Sequence, residues 1–218
     1  MNTNGNFVIT ISRELGSGGR TVGRKLAEKL GVRYSDKELI HALMDKFNLT
    51  DSGIEKLKGE KKGWFADFIQ LVAPVPKVGM IIDTDSRFVQ EFRADLTTDD
   101  VYQAESEILR EIAGQGPCVI AGRSGFFVLK DCPEKLDVFI IASREHRVKR
   151  VMRKQQLERD VAEAVIDRVD QARDNYVHRY TGKSRYDARN YDLVINMDGL
   201  SEDEAVGIIL KYIEAHGE

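Results

Sequence analysis

Phe7-Val-Ile-Thr-Ile-Ser-Arg-Glu-Leu-Gly-Ser-Gly-Gly-Arg-Thr-Val-Gly-Arg-Lys-Leu-Ala-Glu-Lys-Leu30 decides the fold. The apolar, β-branched run over 7–12 reads as a buried strand. Gly16-Ser-Gly-Gly19 reads as a tight turn. The period then changes: Val22, Leu26, Ala27 and Leu30 fall at helical spacing, and Gly31 stands where a helix C-cap glycine belongs. Strand, glycine loop and helix N-terminus in that order make an anion site, because successive backbone N–H groups turn inward and the helix macrodipole adds partial positive charge. Gly16, Ser17, Gly18, Gly19, Arg20 and Thr21, with Arg13 opening the loop, are the candidate phosphate-binding residues.

The same alternation continues along the chain. Cys118-Val-Ile-Ala-Gly122, Leu136-Asp-Val-Phe-Ile-Ile-Ala142 and Tyr191-Asp-Leu-Val-Ile-Asn196 read as further strands, and Val32-Arg-Tyr34 as a short one. Each follows a segment long enough for a crossover, so the fold class is α/β: a three-layer, doubly wound parallel sheet. Ligands in such sheets sit beyond the strand C-terminal ends, where Gly16–Thr21, Gly122-Arg123 and Ser143-Arg144 all fall. Lys37–Met44 and 101–114 read as helices, and Ser201-Glu-Asp-Glu204 as the capping box of a final one. Residues 48–100 are irregular, with Pro74-Val-Pro76 breaking the pattern, and read as a partly helical insertion. Residues 144–180 form a long basic helical stretch. The whole of 1–218 is thus one domain with an insertion.

Composition narrows the class. With 218 residues, 42% hydrophobic and 32% charged, the chain can bury a substantial core. A net charge of −3 gives no global attraction to nucleic acid polymers or to an anionic membrane. No run reaches the roughly 20 apolar residues of a membrane span, and Met1–Asn6 carries neither region of a signal peptide, so a cytoplasmic location is expected. Cys118 and Cys132 flank apolar runs and read as buried free thiols.

On these motifs the chain resembles the cytidylate kinase-like family, in the nucleoside monophosphate kinase group of P-loop proteins. That family's loop has the form G-x-x-G-x-G-K-G-T, and the aligned stretch here is Arg13-Glu-Leu-Gly-Ser-Gly-Gly-Arg-Thr21. Gly16, Gly18 and Thr21 match; Arg13 stands at the first glycine, Gly19 at the lysine and Arg20 at the following glycine. Asp36 and Gly122-Arg123 fall on positions near the acceptor nucleotide, Arg150 and Arg153 on lid arginines, and Asp170 and Arg173 on a D-x-x-R pair that contacts the acceptor. The family's aspartates on either side of Gly-Arg are Ala121 and Ser124 here.

The resemblance implies ATP-dependent phosphoryl transfer to a small phosphorylated acceptor, a nucleoside monophosphate such as CMP or dCMP. It implies Mg²⁺ with Thr21 as its hydroxyl ligand, 48–100 as the acceptor-binding region, and 144–180 as lid and following helix. Arg20, Arg150 and Arg153 are the expected catalytic cations, with Arg20, alone or together with Arg13, in place of the lysine. Asp36, Arg123, Asp170 and Arg173 are the expected acceptor-binding residues. The alternative is a nucleotide- or phosphometabolite-binding protein of the same fold with weak or no transfer. Other readings stay open beside these: Asp36 as a helix N-cap, Asp170 and Arg173 as a plain i,i+3 pair, and the 144–173 charges as a solvated helix face. Trp64, Phe65 and Phe68 read as packing residues. Tyr176–Tyr186 reads either as a loop over the site or as a contact in a homo-oligomer.

Overall fold

Among the described residues, five parallel strands in the order β2-β3-β1-β4-β5 form the central sheet. They are β1 (Val8–Arg13), β2 (Arg33–Ser35), β3 (Cys118–Ala121), β4 (Lys135–Ile141) and β5 (Leu193–Asn196). The computed structural model describes residues 1–3, 5–36, 98–122 and 124–216. The expected insertion at 48–100 lies outside the described residues save its last three, as do the helix expected over 37–44, the aromatics Trp64, Phe65 and Phe68, and Arg123.

The helices are α1 (Gly19–Leu30), α2 (Thr98–Gly114), α3 (Gly125–Val128), α4 (Arg144–Gln155), α5 (Arg159–Thr181) and α6 (Glu202–Ala215) among the described residues. Strand alternation sorts them into layers. Ile9 and Ile11 of β1 face one side with Val138 and Ile140 of β4, and there Val22 and Leu26 of α1 meet Val206 and Ile209 of α6. Ile9, Ile11 and Ile140 are wholly buried, and each such side chain contributes about 1.5–3 kcal/mol. Thr10 points the other way, against Gly125 of α3. Phe139 stacks on Tyr191 on that same opposite face.

Local chemistry sets the boundaries. Gly31 closes α1 in the left-handed conformation, its N–H bonding back to Glu28. Ser201 and Glu204 form the full capping box at α6. The basic stretch divides into two helices at Gln156, a non-glycine residue at φ 57. The break lets α4 and α5 pack side by side through Val148, Val151, Ala162 and Ile166. Leu15, from the glycine loop, packs against that cluster, so the loop is anchored to the pair of basic helices. Cys118 is buried as expected, whereas Cys132 is only partly covered; both are free thiols. Among the described residues no helix is long and apolar enough to cross a membrane.

Candidate active site

The glycine loop leaves the C-terminal end of β1 and enters α1 at Gly19. Gly16 takes φ +86, and a Cβ there would lie 2.7 Å from the Arg147 carbonyl oxygen, so only glycine fits. Gly18, also left-handed, is the N-cap. Ser17 folds its N–H and hydroxyl back onto the Glu14 carbonyl, at 3.3 and 2.9 Å. Leu15 N–H goes to Asp170 and Thr21 N–H to the Gly18 carbonyl. The N–H groups of Gly16, Gly18, Gly19 and Arg20 have no acceptor among the described residues. Four unbonded donors at a helix N-terminus are what a phosphate requires.

The position of the missing lysine has a steric explanation. A Cβ on Gly19 would lie 2.6 Å from Arg13 Cβ and 3.1 Å from Ile140 Cβ. Arg13, where related loops have glycine, fills the space from which a lysine would start. Its guanidinium turns toward Gly122 and lies 3.7 Å from Asp36 Oδ1. Arg20 Nε donates to the other oxygen of Asp36. Asp36 is nearly buried at the end of β2 and thus holds both arginines on the β2 flank. Tyr34 donates its hydroxyl to the Arg20 carbonyl at 3.1 Å. Burial, reinforced by the Asp36 carboxylate, pushes that phenol up to about 12.

Asp170 organises the second wall. It is 6% exposed. Its Oδ1 accepts from Leu15 N–H at 3.0 Å, and its Oδ2 from Arg147 Nη1 at 2.5 Å. Arg173 Nη1 lies 3.4 Å and Arg185 Nη1 3.7 Å from Oδ1. Arg185 Nη2 also donates to the Arg13 carbonyl at 2.5 Å, and Arg173 Nη1 to the same oxygen at 3.4 Å. One carboxylate therefore ties the end of β1, the glycine loop, α4, α5 and the loop after α5 together. Arg147 Nε and Arg185 Nη1 are buried without a hydrogen bond among the described residues, and each lies at ion-pair distance from a carboxylate instead, Glu14 Oε2 at 3.6 Å and Asp170 Oδ1 at 3.7 Å.

Arg150 closes the loop from α4. Its Nη2 lies 2.8 Å from Glu202 Oε1 and 3.3 Å from Thr21 Oγ1, and a Cβ on Gly18 would lie 3.4 Å from its Cζ. Arg153, three residues on, is exposed and makes no ion pair among the described residues, so the two arginines do not converge. The structure thus brings Arg13, Arg20, Thr21, Asp36, Arg150, Asp170 and Arg173 around Gly16–Gly19 and leaves Arg153 outside; Arg123 is not among the described residues. Sequence reasoning missed Glu14, Arg147, Arg185 and Glu202. Arg147 carried a usable signal, since it shares the i,i+3 face of Arg150.

No group of three His, Cys, Asp or Glu side chains among the described residues is placed to hold a metal. Thr21 offers one hydroxyl beside the loop. That single donor fits Mg²⁺, which keeps waters and phosphate oxygens and needs few protein ligands.

A parallel sheet of this order, with a glycine loop capping the helix after its central strand, is a P-loop kinase fold. The model of the cytidylate kinase-like family matches residues 8–199, and the chain belongs to that family. A cytidylate kinase of Mycobacterium leprae is 30% identical over 161 residues, covering 66% of this chain and 67% of the relative. Among solved structures, an uncharacterized protein of Eubacterium ventriosum superposes with a TM-score of 0.67 at 23% identity, covering 95% of this chain and 98% of that one. The shikimate kinase of Bacteroides thetaiotaomicron superposes at 0.54 with 16% identity, over 95% and 98% of the two chains. The structural matches carry the fold; family membership supports nucleotide-dependent phosphoryl transfer as the class of activity.

Proposed function

We propose that the protein transfers the terminal phosphoryl group of ATP to a small phosphorylated acceptor, a nucleoside monophosphate of the CMP or dCMP type. The observation that carries this reading is the glycine loop itself: four of its N–H groups have no acceptor among the described residues, and Arg13, Arg147 and Arg150 lie against its glycines. The donor phosphates lie against Gly16–Thr21, and the Thr21 hydroxyl would hold Mg²⁺, which would supply charge neutralisation at the phosphate oxygens. Arg150 lies over the loop, with Arg20 and Arg13 beside it on the β2 flank, and these are the cations available to the transferring group; Arg153, exposed and outside the site, is not among them. Arg123, Asp170 and Arg173 serve the acceptor side, and Asp36 reaches that side from β2. Closure of 144–180 as a lid excludes water from the transfer. The bond from the γ-phosphorus to the bridging oxygen breaks, leaving ADP, and a new P–O bond forms to the acceptor phosphate.

One observation favours a second reading, in which the same fold binds nucleotides or phosphometabolites with little transfer. Gly19 stands at the lysine position, and Asp36 holds both Arg13 and Arg20. Phosphorus NMR separates the two. Protein is mixed with Mg-ATP and a panel of nucleoside monophosphates, each with an enzyme-free control. Diphosphate that appears only with one acceptor is the expected result and names that acceptor. ATP binding with no product from any acceptor contradicts transfer and leaves the binding protein.

A further inference from the structure

Restoring a cation to a phosphate loop that lacks its lysine takes a guanidinium that lies over the loop. Arg20 is adjacent in sequence, and its Nη1 and Nη2 make no hydrogen bond with a described residue, but its Nε is held by Asp36 at the end of β2, so the guanidinium lies on that flank, 44% exposed, and not over the loop. Arg13 fills the lysine's space with its own Cβ, then turns its guanidinium toward Gly122 and Asp36. Arg150 differs from both. Of the atoms that a Cβ on Gly18 would meet, the three nearest all belong to the Arg150 guanidinium, at 3.4 to 3.7 Å. Its Nη2 alone makes both of its contacts, to Thr21 and Glu202. Nε and Nη1 make no hydrogen bond with a described residue.

Glu202 decides where that guanidinium sits. It is the first residue of α6, behind the Ser201 N-cap, and α6 packs against α1 through the shared core. Lys25 of α1 pairs with the neighbouring Asp203 at 2.7 Å, so the two helices are also tied at their surface. A carboxylate on this frame holds Arg150 at a fixed place relative to the start of α1. Burial raises the Glu202 carboxyl, but the hydrogen bond from Arg150 and its own backbone N–H outweigh it and leave it below the ordinary glutamate value. Glu202 is therefore ionised at neutral pH.

We infer that Arg150, arriving from α4, takes the place of the loop's absent lysine, and that Glu202 is the positioning residue that holds it there. The inference rests on the phosphoryl-transfer reading above and narrows it to one cation. Such a substitution ties the charge over the donor phosphates to the placement of α4, and therefore to the lid. A lysine borne by the loop would not do so.

The test uses the full chain and reads ATP binding by calorimetry alongside turnover with whichever acceptor the NMR panel names. Arg150→Ala is expected to weaken ATP binding by about fiftyfold and to lower kcat by about a thousandfold. Arg20→Ala is expected to lose at least tenfold less than Arg150→Ala in each readout. Arg150→Lys recovers part of the binding, which separates lost charge from lost fold. Glu202→Gln is expected to lower kcat by about tenfold, with KM for ATP nearly unchanged, and to add no further loss in the Arg150→Ala background. If wild-type protein binds ATP and Arg20→Ala is the more damaging change, the assignment of Arg150 is overturned while the phosphoryl-transfer reading stands. If Glu202→Gln costs the same in both backgrounds, Glu202 does not act through Arg150. If wild-type protein binds no ATP, the functional reading falls and takes this inference with it.

Discussion

The two flanks of the glycine loop spend their arginines differently. On the β2 flank, two guanidiniums share one nearly buried carboxylate, Asp36. On the α6 flank, one guanidinium divides its Nη2 between Glu202 and the Thr21 hydroxyl and keeps two nitrogens free of described partners. The first arrangement fastens β1, α1 and β2 together. The second holds a cation over the loop, beside Gly18. Proximity in sequence is thus a poor guide to which arginine serves a ligand: Arg20 adjoins the loop but is turned away, whereas Arg150 lies 129 residues from Thr21 and reaches it.

Removing what keeps both flanks in register has the largest expected effect. Asp170→Ala leaves Arg185 buried without its carboxylate and Arg147 with Glu14 alone, and frees the loop at Leu15. A loss of about 3–5 kcal/mol in unfolding free energy is expected, measured by urea denaturation at neutral pH. Gly16→Ala comes next. The left-handed backbone and the Arg147 carbonyl at 2.7 Å together cost about 3 kcal/mol. Gly31→Ala, at φ +66 with nothing within 4 Å, costs about 1–2 kcal/mol. Equal losses in the two glycine variants would show that the contact between loop and α4 carries no weight.

Asp36→Ala sharpens the comparison from the other side. Losing a charge-assisted bond to Arg20 and the attraction to Arg13 costs about 1.5–3 kcal/mol. The change also releases the Arg20 guanidinium from Asp36, so ATP affinity is expected to rise or hold while stability falls. Loss of affinity in step with stability would place Asp36 within the donor site. The smallest effect belongs to Glu202, which is 28% exposed, so its pair with Arg150 contributes about 1 kcal/mol or less to stability. Its carboxyl lies lower in the folded than in the unfolded chain. That contribution is therefore complete above the ordinary glutamate value and is lost as pH falls through the lowered one. The difference in melting temperature between wild type and Glu202→Gln should stay constant from pH 8 to about 5 and shrink below about pH 4. A difference that vanishes already near neutrality would contradict an ionised Glu202.

The loop and its strand and helix were legible in the sequence because they are local. A buried run, three closely spaced glycines and a 3.6-residue period name β1, the turn and α1 without any tertiary information. The Gly31 cap and the Ser201 capping box were readable for the same reason. The division of 144–180 was not, since Gln156 adopts the left-handed conformation that sequence rules reserve for glycine and asparagine. The arginine walls were legible only by resemblance. Nothing near Asp170 in sequence shows that Arg147, Arg185 and the Leu15 N–H converge on it; the crossing of α4 and α5 beside β1 does that. Glu202 was visible only as part of a helix start, because its partner lies on another helix.

The most direct test of the central claim, that donor phosphates sit on the unbonded amides of the glycine loop, is a backbone amide NMR titration of the full chain with Mg-ATP. The account predicts large, saturable shifts at Gly16, Gly18, Gly19 and Arg20. Saturable binding that leaves those four amides unmoved would contradict it.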